Sequence, residues 1–197
     1  TNGTTTNNGD GTVTYIPDQN YNGTDSFSYD ISDGNGSTAA ALVDITVTAV
    51  NDAPVLNAIG NKSINEGEIL EFTVSASDID GDNLTYNASG DVADKFDSST
   101  KTFTWTPSFD DEGNYSLTID VSDGDLNDSE TITISVGDVN RAPVASDDTV
   151  NVDEDNSVVI DILANDSDPD GDSINLIGVT DGNNGTAVDN GNGTVTY

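Results

Sequence analysis

Short acidic turns are the part of this sequence that could do chemistry. Asp78-Ile79-Asp80-Gly81-Asp82 carries an acidic residue at every second position, and Asp168-Pro169-Asp170-Gly171-Asp172 repeats the pattern. A turn can aim two such carboxylates at one point, because it breaks the regular alternation of a strand. Gathered carboxylates repel one another unless a cation lies between them. Calcium prefers six to eight oxygen ligands of this kind. The pattern therefore predicts calcium sites.

The composition excludes several classes of protein. The 197 residues include no Cys and no His, which removes disulfides, Cys-based zinc sites and every Ser-His or Cys-His catalytic arrangement. Four Lys and Arg residues against a net charge of −33 cannot neutralise a phosphate backbone, so we expect no nucleic-acid partner. No stretch approaches the ~20 apolar residues of a membrane span. Disorder is disfavoured because Val, Ile and Thr are frequent and alternate with polar residues.

Internal repeats organise the chain. Asn51-Asp52-Ala53-Pro54-Val55 recurs about ninety residues later as Asn140-Arg141-Ala142-Pro143-Val144, and the acidic turn recurs at the same distance, a normal β-sandwich length. Residues 2–15 resemble residues 184–197, about two periods apart. We predict the C-terminal half of one repeat (residues 1–50), a complete repeat (51–139) and the N-terminal half of a further repeat (140–197). We expect the chain to be a window of a longer array.

Apolar residues alternate with polar ones throughout, which predicts β-strands with one buried face. Asn-Gly pairs such as Asn8-Gly9 and Asn192-Gly193 predict hairpin turns. The fold class is therefore all-β, with tandem antiparallel β-sandwiches arranged as a rod. The alternating apolar positions are Phe27, Tyr29, Ile31; Val43, Ile45, Val47; Leu70, Phe72, Val74, Ala76; Phe103, Trp105; Tyr115, Leu117, Ile119, Val121; Ile132, Ile134, Val136; Val158, Ile160, Ile162; and Ile174, Leu176.

The order and spacing of these motifs resemble cadherin repeats, in particular the cadherin-like and immunoglobulin-like repeats of giant prokaryotic surface proteins. The turn that begins at Asp78 matches the cadherin acidic pair, and Phe109-Asp110-Asp111-Glu112 matches the motif that usually reads Leu-Asp-Arg-Glu. Glu66 matches the glutamate of the first strand, and Asn51-Asp52-Ala53-Pro54 matches the linker. The resemblance covers the whole middle repeat and implies an extracellular, surface-exposed protein.

The resemblance also implies calcium ions where one repeat meets the next. For the first junction it implies the ligands Asn51, Asp52, Asp78, Asp80 and Asp123, with Asp18 or Asn20 from the preceding repeat. For the second junction it implies Glu66, Asp110, Glu112, Asp138, Asn140, Asp168 and Asp170.

Both linkers depart from the family pattern, and Arg141 stands where the family has an oxygen ligand. We therefore expect only about one or two ions per junction and a weaker second junction. The alternative is that these acids only cap turns and keep the surface soluble, because Asp, Asn and Gly are ordinary turn residues. An EF-hand is not supported, because the run Asp166-Ser167-Asp168-Pro169-Asp170-Gly171 is not followed by the glutamate that ends such a loop, and Ile177 stands at that position.

Asn-x-Ser/Thr sequons are frequent and allow a glycosylated surface protein. The candidate acceptors are Asn22, Asn61, Asn83, Asn87, Asn114 and Asn127. Trp105 could be a sugar-stacking platform, but its alternation with Phe103 favours a position in the core. We expect no enzyme, because no carboxylate pair stands apart from the repeat pattern.

Two functions remain open. One is a calcium-stiffened rod of a cell-surface adhesin or structural fibre, with a cell-surface or carbohydrate ligand elsewhere. The other is a filament or surface-layer subunit that polymerises head to tail, residues 140–182 of one copy completing residues 16–50 of the next. The partners are then copies of the chain itself or adjacent repeats.

Overall fold

The structure, a computed structural model, describes residues 2–197. It is almost entirely β, which confirms the predicted all-β class. The strands are β1 (Gly3–Asn7), β2 (Val13–Pro17), β3 (Gly23–Ser32), β4 (Thr38–Val47), β5 (Val55–Leu56), β6 (Lys62–Asn65), β7 (Leu70–Thr73), β8 (Ala76–Ser77), β9 (Thr85–Gly90), β10 (Phe96–Asp97), β11 (Thr102–Trp105), β12 (Gly113–Ser122), β13 (Asn127–Gly137), β14 (Val159–Asp161), β15 (Val188–Asp189) and β16 (Thr194–Thr196), with a 3-10 turn at Ala93–Lys95.

Within residues 2–197 the strands form one four-stranded sheet, two three-stranded sheets and three two-stranded sheets. The four-stranded sheet has the order β6-β13-β12-β9, and the three-stranded sheets have the orders β10-β11-β7 and β14-β16-β15. β1 pairs with β2, β3 with β4, and β5 with β8. The chain divides into two compact units: the first holds the residues up to Gly60 with Phe72–Thr102 and Leu117–Ile132, and the second holds Asn61–Glu71, Phe103–Ser116 and Thr133–Tyr197.

One pairing differs from the antiparallel prediction. β6 runs parallel to β13, with Lys62 opposite Ile134 and Asn65 opposite Gly137. The chain between these strands is long enough to make the crossover that parallel pairing requires. Gly137 also suits this edge, since a Cβ there would lie 2.8 Å from the Asn65 side-chain oxygen.

Alternating apolar residues supply the core of each unit. In the first unit Leu117, Ile119 and Val121 on β12 are fully buried, as their period of two predicted. In the second unit Trp105 is 7% exposed. The Trp105 ring meets the ring of Tyr115 edge-on, with centroids 4.9 Å apart. The core position predicted for Trp105 is therefore confirmed.

The strand predicted at Ile174 and Leu176 is wrong. Both side chains are half-buried and Asn175 between them is exposed, so the alternation is present. However, the segment pairs with no strand among residues 2–197. Alternation without a hydrogen-bonded neighbour does not make a strand.

The resemblance between the two ends of the sequence extends to side-chain hydrogen bonds. In the β1–β2 hairpin the side-chain amide of Asn8 donates to Thr12 Oγ1 at 2.9 Å. In the β15–β16 hairpin Asn190 donates to Thr194 Oγ1, also at 2.9 Å. The predicted Asn-Gly pairs thus lie in hairpin loops, although these loops are longer than two-residue turns.

Candidate metal centre

The acidic turn after β8 is held by its first residue. Asp78 Oδ1 accepts hydrogen bonds from the backbone amides of Asp80 (2.9 Å), Gly81 (3.0 Å) and Asp82 (3.3 Å). Gly81 has a φ of 81°, a conformation that glycine adopts easily. The turn brings carboxylate oxygens of Asp78, Asp80 and Asp82 within 4.8 Å of one another. Across residues 2–197 this is the one group of three acidic side chains brought so close together.

The other carboxylate oxygen of Asp78 differs from the first in its hydrogen bonding. Asp78 Oδ2 is buried, and in the described part of the chain it is the only buried side-chain polar atom without a hydrogen-bond partner. A buried carboxylate oxygen without a partner is energetically costly. A hard cation takes carboxylate oxygens as ligands and would satisfy this atom. The residues present therefore fit a calcium ion.

The first linker is tied to this turn by two hydrogen bonds. The backbone amide of Asp52 donates to Asp80 Oδ2 at 2.8 Å, and the side-chain amide of Asn51 donates to Asp123 Oδ2 at 2.9 Å. The pKa of Asp123 is lowered, chiefly by the backbone N–H of Leu126. Asp123 therefore stays ionised beside the linker.

Two cavities are lined both by residues of the first linker and by residues of the segment 17–22. One, of about 260 Å³, is lined by Asp18, Asn20, Asp52 and Asp80 among others. The other, of about 470 Å³, is lined by Asn20, Asp52 and Asp78 among others. Of the two residues predicted as alternatives, Asn20 lines both cavities and Asp18 lines one. The fold thus brings together the residues that the sequence predicted for the first junction.

The second junction repeats the backbone arrangement of the first. Asp168 Oδ1 accepts hydrogen bonds from the amides of Asp170 (2.9 Å) and Asp172 (3.3 Å). The backbone amide of Arg141 donates to Asp170 Oδ2, as the amide of Asp52 does to Asp80. The side chain at the linker position differs between the two junctions, Asp52 at the first and Arg141 at the second.

The guanidinium of Arg141 contacts the oxygen atoms around it. Nε donates to Asp170 Oδ1 at 2.7 Å, and Nη2 donates to the carbonyls of Pro169 (2.8 Å) and Phe109 (3.3 Å). Asp110 Oδ1 lies 3.6 Å from Nη2. Hydrogen bonds from the Arg141 backbone and side chain lower the pKa of Asp170. Asp110 and Asp170, two predicted calcium ligands, thus face a built-in cation.

The remaining ligands predicted for the second junction are spread around it. Glu66 is only 3% exposed, and its Oε2 accepts the backbone amide of Val139 at 3.0 Å. The side-chain amide of Asn140 donates to the Arg141 carbonyl at 3.1 Å. Glu112 and Asp138 are exposed.

Sequence reasoning missed two participants. Asp82 completes the carboxylate group, and its position two residues after Asp80 was the available signal. The multiple contacts of Arg141 were also missed, because sequence alone showed only the loss of an oxygen ligand there.

All six candidate glycosylation acceptors are exposed. Three of them already make side-chain hydrogen bonds: Asn61 Oδ1 accepts from the Thr133 amide, Asn114 Oδ1 accepts from the Ser135 hydroxyl, and Asn127 donates to Asp120. The acceptors without such a bond to protein in the described residues are Asn22, Asn83 and Asn87.

Two family models match the chain. A model described as cadherin-like domain matches residues 1–48. A model described as bacterial Ig domain matches residues 51–135 and again residues 140–197. Domains of both kinds are typically extracellular and usually non-enzymatic. No helix among the described residues is long and apolar enough to cross a membrane.

Individual relatives are more distant. Chitinase A of Pseudoalteromonas piscicida is 28% identical over 152 residues, which is 74% of this chain and 18% of that protein. Human protocadherin-24 EC1-2 is 29% identical over 49% of this chain and 50% of that chain, with a TM-score of 0.38. An endo-fucoidan hydrolase of glycoside hydrolase family 107 is 19% identical over 99% of this chain and 32% of that chain, with a TM-score of 0.37. The chain thus spans less than a fifth of the curated relative it matches.

Proposed function

Because the chain belongs to the bacterial Ig domain family, we propose that it is a calcium-stiffened, non-enzymatic repeat region of an extracellular adhesin or structural fibre. Its repeats, with the boundaries 1–50, 51–139 and 140–197, follow one another as a rod. The acidic turn and the linker at the first junction bind calcium and fix the angle between successive repeats.

The observation that carries this proposal is the Asp78 turn. Three carboxylates lie within 4.8 Å of one another, and the buried Oδ2 of Asp78 has no hydrogen-bond partner among residues 2–197. Without a cation, this arrangement combines charge repulsion with an unsatisfied buried oxygen. A turn that served only solubility would leave its carboxylates separate and hydrated.

The linker couples the ion to the geometry of the junction. Asp52 holds Asp80 through its backbone amide, and Asp52 lines a cavity together with Asn20 of the preceding repeat. Bound calcium supplies a divalent charge and several oxygen coordination positions at once. Its binding free energy adds to the folding stability, by about 2.7 kcal/mol when calcium is at 100 times its dissociation constant.

An enzymatic role is disfavoured. The chitinase similarity spans 18% of that protein. The closely grouped carboxylates of this chain belong to one turn, beside a linker. A retaining or inverting glycosidase instead needs two carboxylates on opposite sides of a sugar-binding cleft. We therefore propose that any catalytic activity lies in other parts of a longer polypeptide.

The test is thermal unfolding of the chain with EDTA or with millimolar calcium, alongside calcium titration by calorimetry. We expect a saturable rise in Tm in calcium, lost in the double variant Asp78→Asn/Asp80→Asn. An unchanged Tm together with no calorimetric binding would refute the proposal and leave the acids as turn and solubility residues.

Self-association is a second candidate, favoured by the β3–β4 hairpin. Tyr29 and Ile31 lie on one face of this hairpin, opposite Ala41 and Ala39, and are 42% and 60% exposed. An isolated two-stranded hairpin needs another layer to be stable. We propose that residues 140–182 of a second copy, or an adjacent repeat of the same polypeptide, cover this face. Concentration-dependent mass in light scattering, lost in Ile31→Asp, would support it; a monomer at all concentrations would exclude pairing between copies.

A further inference from the structure

We propose that the guanidinium of Arg141 takes the place of calcium at the second junction, so that the chain has one calcium-dependent and one calcium-independent junction. The contrast between them rests on the proposed function, because the first junction must bind calcium. The part that concerns Arg141 stands on its own contacts.

The two junctions share one backbone frame, so they can be compared position by position. The linker amide of residue 52 or 141 donates to the second Asp of the turn, Asp80 or Asp170. The first Asp of each turn accepts from the residue two positions later, at 2.9 Å in both. Within this common frame, a carboxylate at residue 52 is replaced by a guanidinium at residue 141.

The atoms around the guanidinium are those that calcium would use. Arg141 contacts one carboxylate closely, another at 3.6 Å, and two backbone carbonyls. Carboxylates and carbonyls are also the usual calcium ligands. Arginine presents several N–H donors from one planar, permanently charged group, so it can serve several oxygens at once. The guanidinium carbon also lies 5.2 Å from the centre of the Phe109 ring, which favours a cation in this place.

The acidic group differs at the two turns in the way this substitution predicts. At equivalent positions, Asp80 accepts one hydrogen bond from its linker, from the Asp52 amide, whereas Asp170 accepts two from Arg141, one on each carboxylate oxygen. The first turn also has the buried, unpartnered Oδ2 of Asp78, and within residues 2–197 the second turn has no such atom. The Asp170 side chain is 11% exposed. The turn at Asp168 also does not appear as a close group of three carboxylates within residues 2–197. The second junction therefore has its positive charge already in place.

The functional consequence is a chain whose junctions respond differently to calcium. When calcium is withdrawn, the first junction loses its cation and loosens. The second junction keeps its cation, because an arginine side chain cannot dissociate. Flexibility would then appear at chosen positions along a repeat array rather than at every junction.

The first experiment measures amide hydrogen exchange by NMR at the two equivalent linker amides, Asp52 and Arg141. In the wild-type chain we expect calcium to slow exchange at Asp52 by about tenfold or more relative to EDTA. Exchange at Arg141 should change less than about twofold. Equal slowing of both amides by calcium would overturn the proposal.

The second experiment converts the junction. In a background of Asp78→Asn/Asp80→Asn, which disables the first junction, Arg141→Asp restores an acidic residue at the linker. We expect this variant to gain calcium binding in calorimetry and calcium-dependent protection of the residue 141 amide. Arg141→Lys keeps the charge but loses the fork of donors, so it should gain neither. Absence of any gain in a folded Arg141→Asp chain would contradict the proposal.

A matched charge-removal control separates this proposal from the proposed function. In EDTA, Arg141→Gln should speed exchange at residue 141 by about tenfold, since Asp170 loses the charged side-chain donor that holds it against this amide. Lys95→Gln removes the same charge from the exposed Lys95–Asp94 pair, whose nitrogen and oxygen are also 2.7 Å apart, and should not speed it. If calcium fails to affect Asp52 while these EDTA results hold, the calcium proposal fails and the role of Arg141 stands. If Arg141→Gln behaves like Lys95→Gln, the role of Arg141 fails.

Discussion

Replacement of Asp78 by Asn should change stability in opposite directions with and without calcium. In EDTA the substitution removes one charge from a group whose oxygens lie within 4.8 Å. At that separation each like-charge contact costs roughly 1 kcal/mol in a water-like dielectric and about 3 kcal/mol at an effective dielectric constant near 20. Asp80 and Asp82 are exposed, so the lower figure applies. The turn itself survives, because the Asn oxygen can accept the same backbone amides.

In calcium the same substitution removes a ligand. Saturating calcium stabilises the wild type by about 2.7 kcal/mol at 100 times the dissociation constant. One kcal/mol shifts Tm by about 2–4 °C in a chain of this size. Asp78→Asn relieves two such contacts, to Asp80 and Asp82, or about 2 kcal/mol, so we expect it to melt about 4–8 °C above the wild type in EDTA. In calcium this gain offsets most of the lost binding free energy, and the variant should melt about 1–3 °C below the wild type.

Differential scanning calorimetry of the wild type and Asp78→Asn, each in calcium and in EDTA, measures this change in the sign of the Tm difference. Asp33→Asn is the matched control, because Asp33 Oδ1 accepts the amides of Asn35 and Ser37 in a similar turn outside the acidic group. This control should shift Tm equally in the two buffers. If Asp78→Asn lowered Tm by the same amount with and without calcium, Asp78 would be a turn residue only and the reasoning would be wrong.

Three further predictions concern the core and the titrating groups. Trp105→Ala removes a buried ring and should lower the free energy of unfolding by about 3–5 kcal/mol in a urea titration, with far-UV circular dichroism showing whether the native fold remains. The pKa of Asp123 lies below its ordinary value of 3.8. The ionised Asp123 therefore stabilises the fold fully above that pH, and this stabilisation is lost as pH falls through the lower folded-state pKa. Asp123→Asn should flatten the acid limb of a curve of Tm against pH, and an unchanged limb would contradict this. Burial, together with the hydrogen bond to Asp25, raises the pKa of Tyr15 to about 12, so one of the six tyrosines should ionise late in a spectrophotometric titration, and Tyr15→Phe should remove that late phase.

Much of the β structure could be predicted because its period is local. Leu117, Ile119 and Val121 alternate with polar residues on one strand, and all three are buried. The parallel pairing of β6 with β13 could not be predicted, because partner choice depends on contacts between residues far apart in sequence. The missing strand at Ile174 has the same cause, since alternation says nothing about whether a neighbouring strand is present.

The candidate site divides in the same way. The turn at Asp78 was predictable because its hydrogen bonds run between residues two to four positions apart. Asn51 and Asp123 are far apart in sequence, and only the family resemblance assigned them to one junction; the hydrogen bond between them was not predicted. Neither local spacing nor the family resemblance predicted the contacts of Arg141, because these contacts depend on where the guanidinium lies relative to two separate loops.

The distribution of positive charge supports a specific task for Arg141. The chain has four basic residues against 37 acidic ones, and Arg141 is its single arginine. Lys95 pairs with an exposed aspartate beside it, and Lys101 lies over the Tyr86 ring. The arginine instead lies where the backbone frame of the junction gathers oxygen atoms, and its fork of donors suits several oxygens better than an ammonium would. The residue before Ala-Pro in each linker would then indicate which junctions of a longer array respond to calcium: an aspartate marks a calcium-dependent junction and an arginine a permanent one.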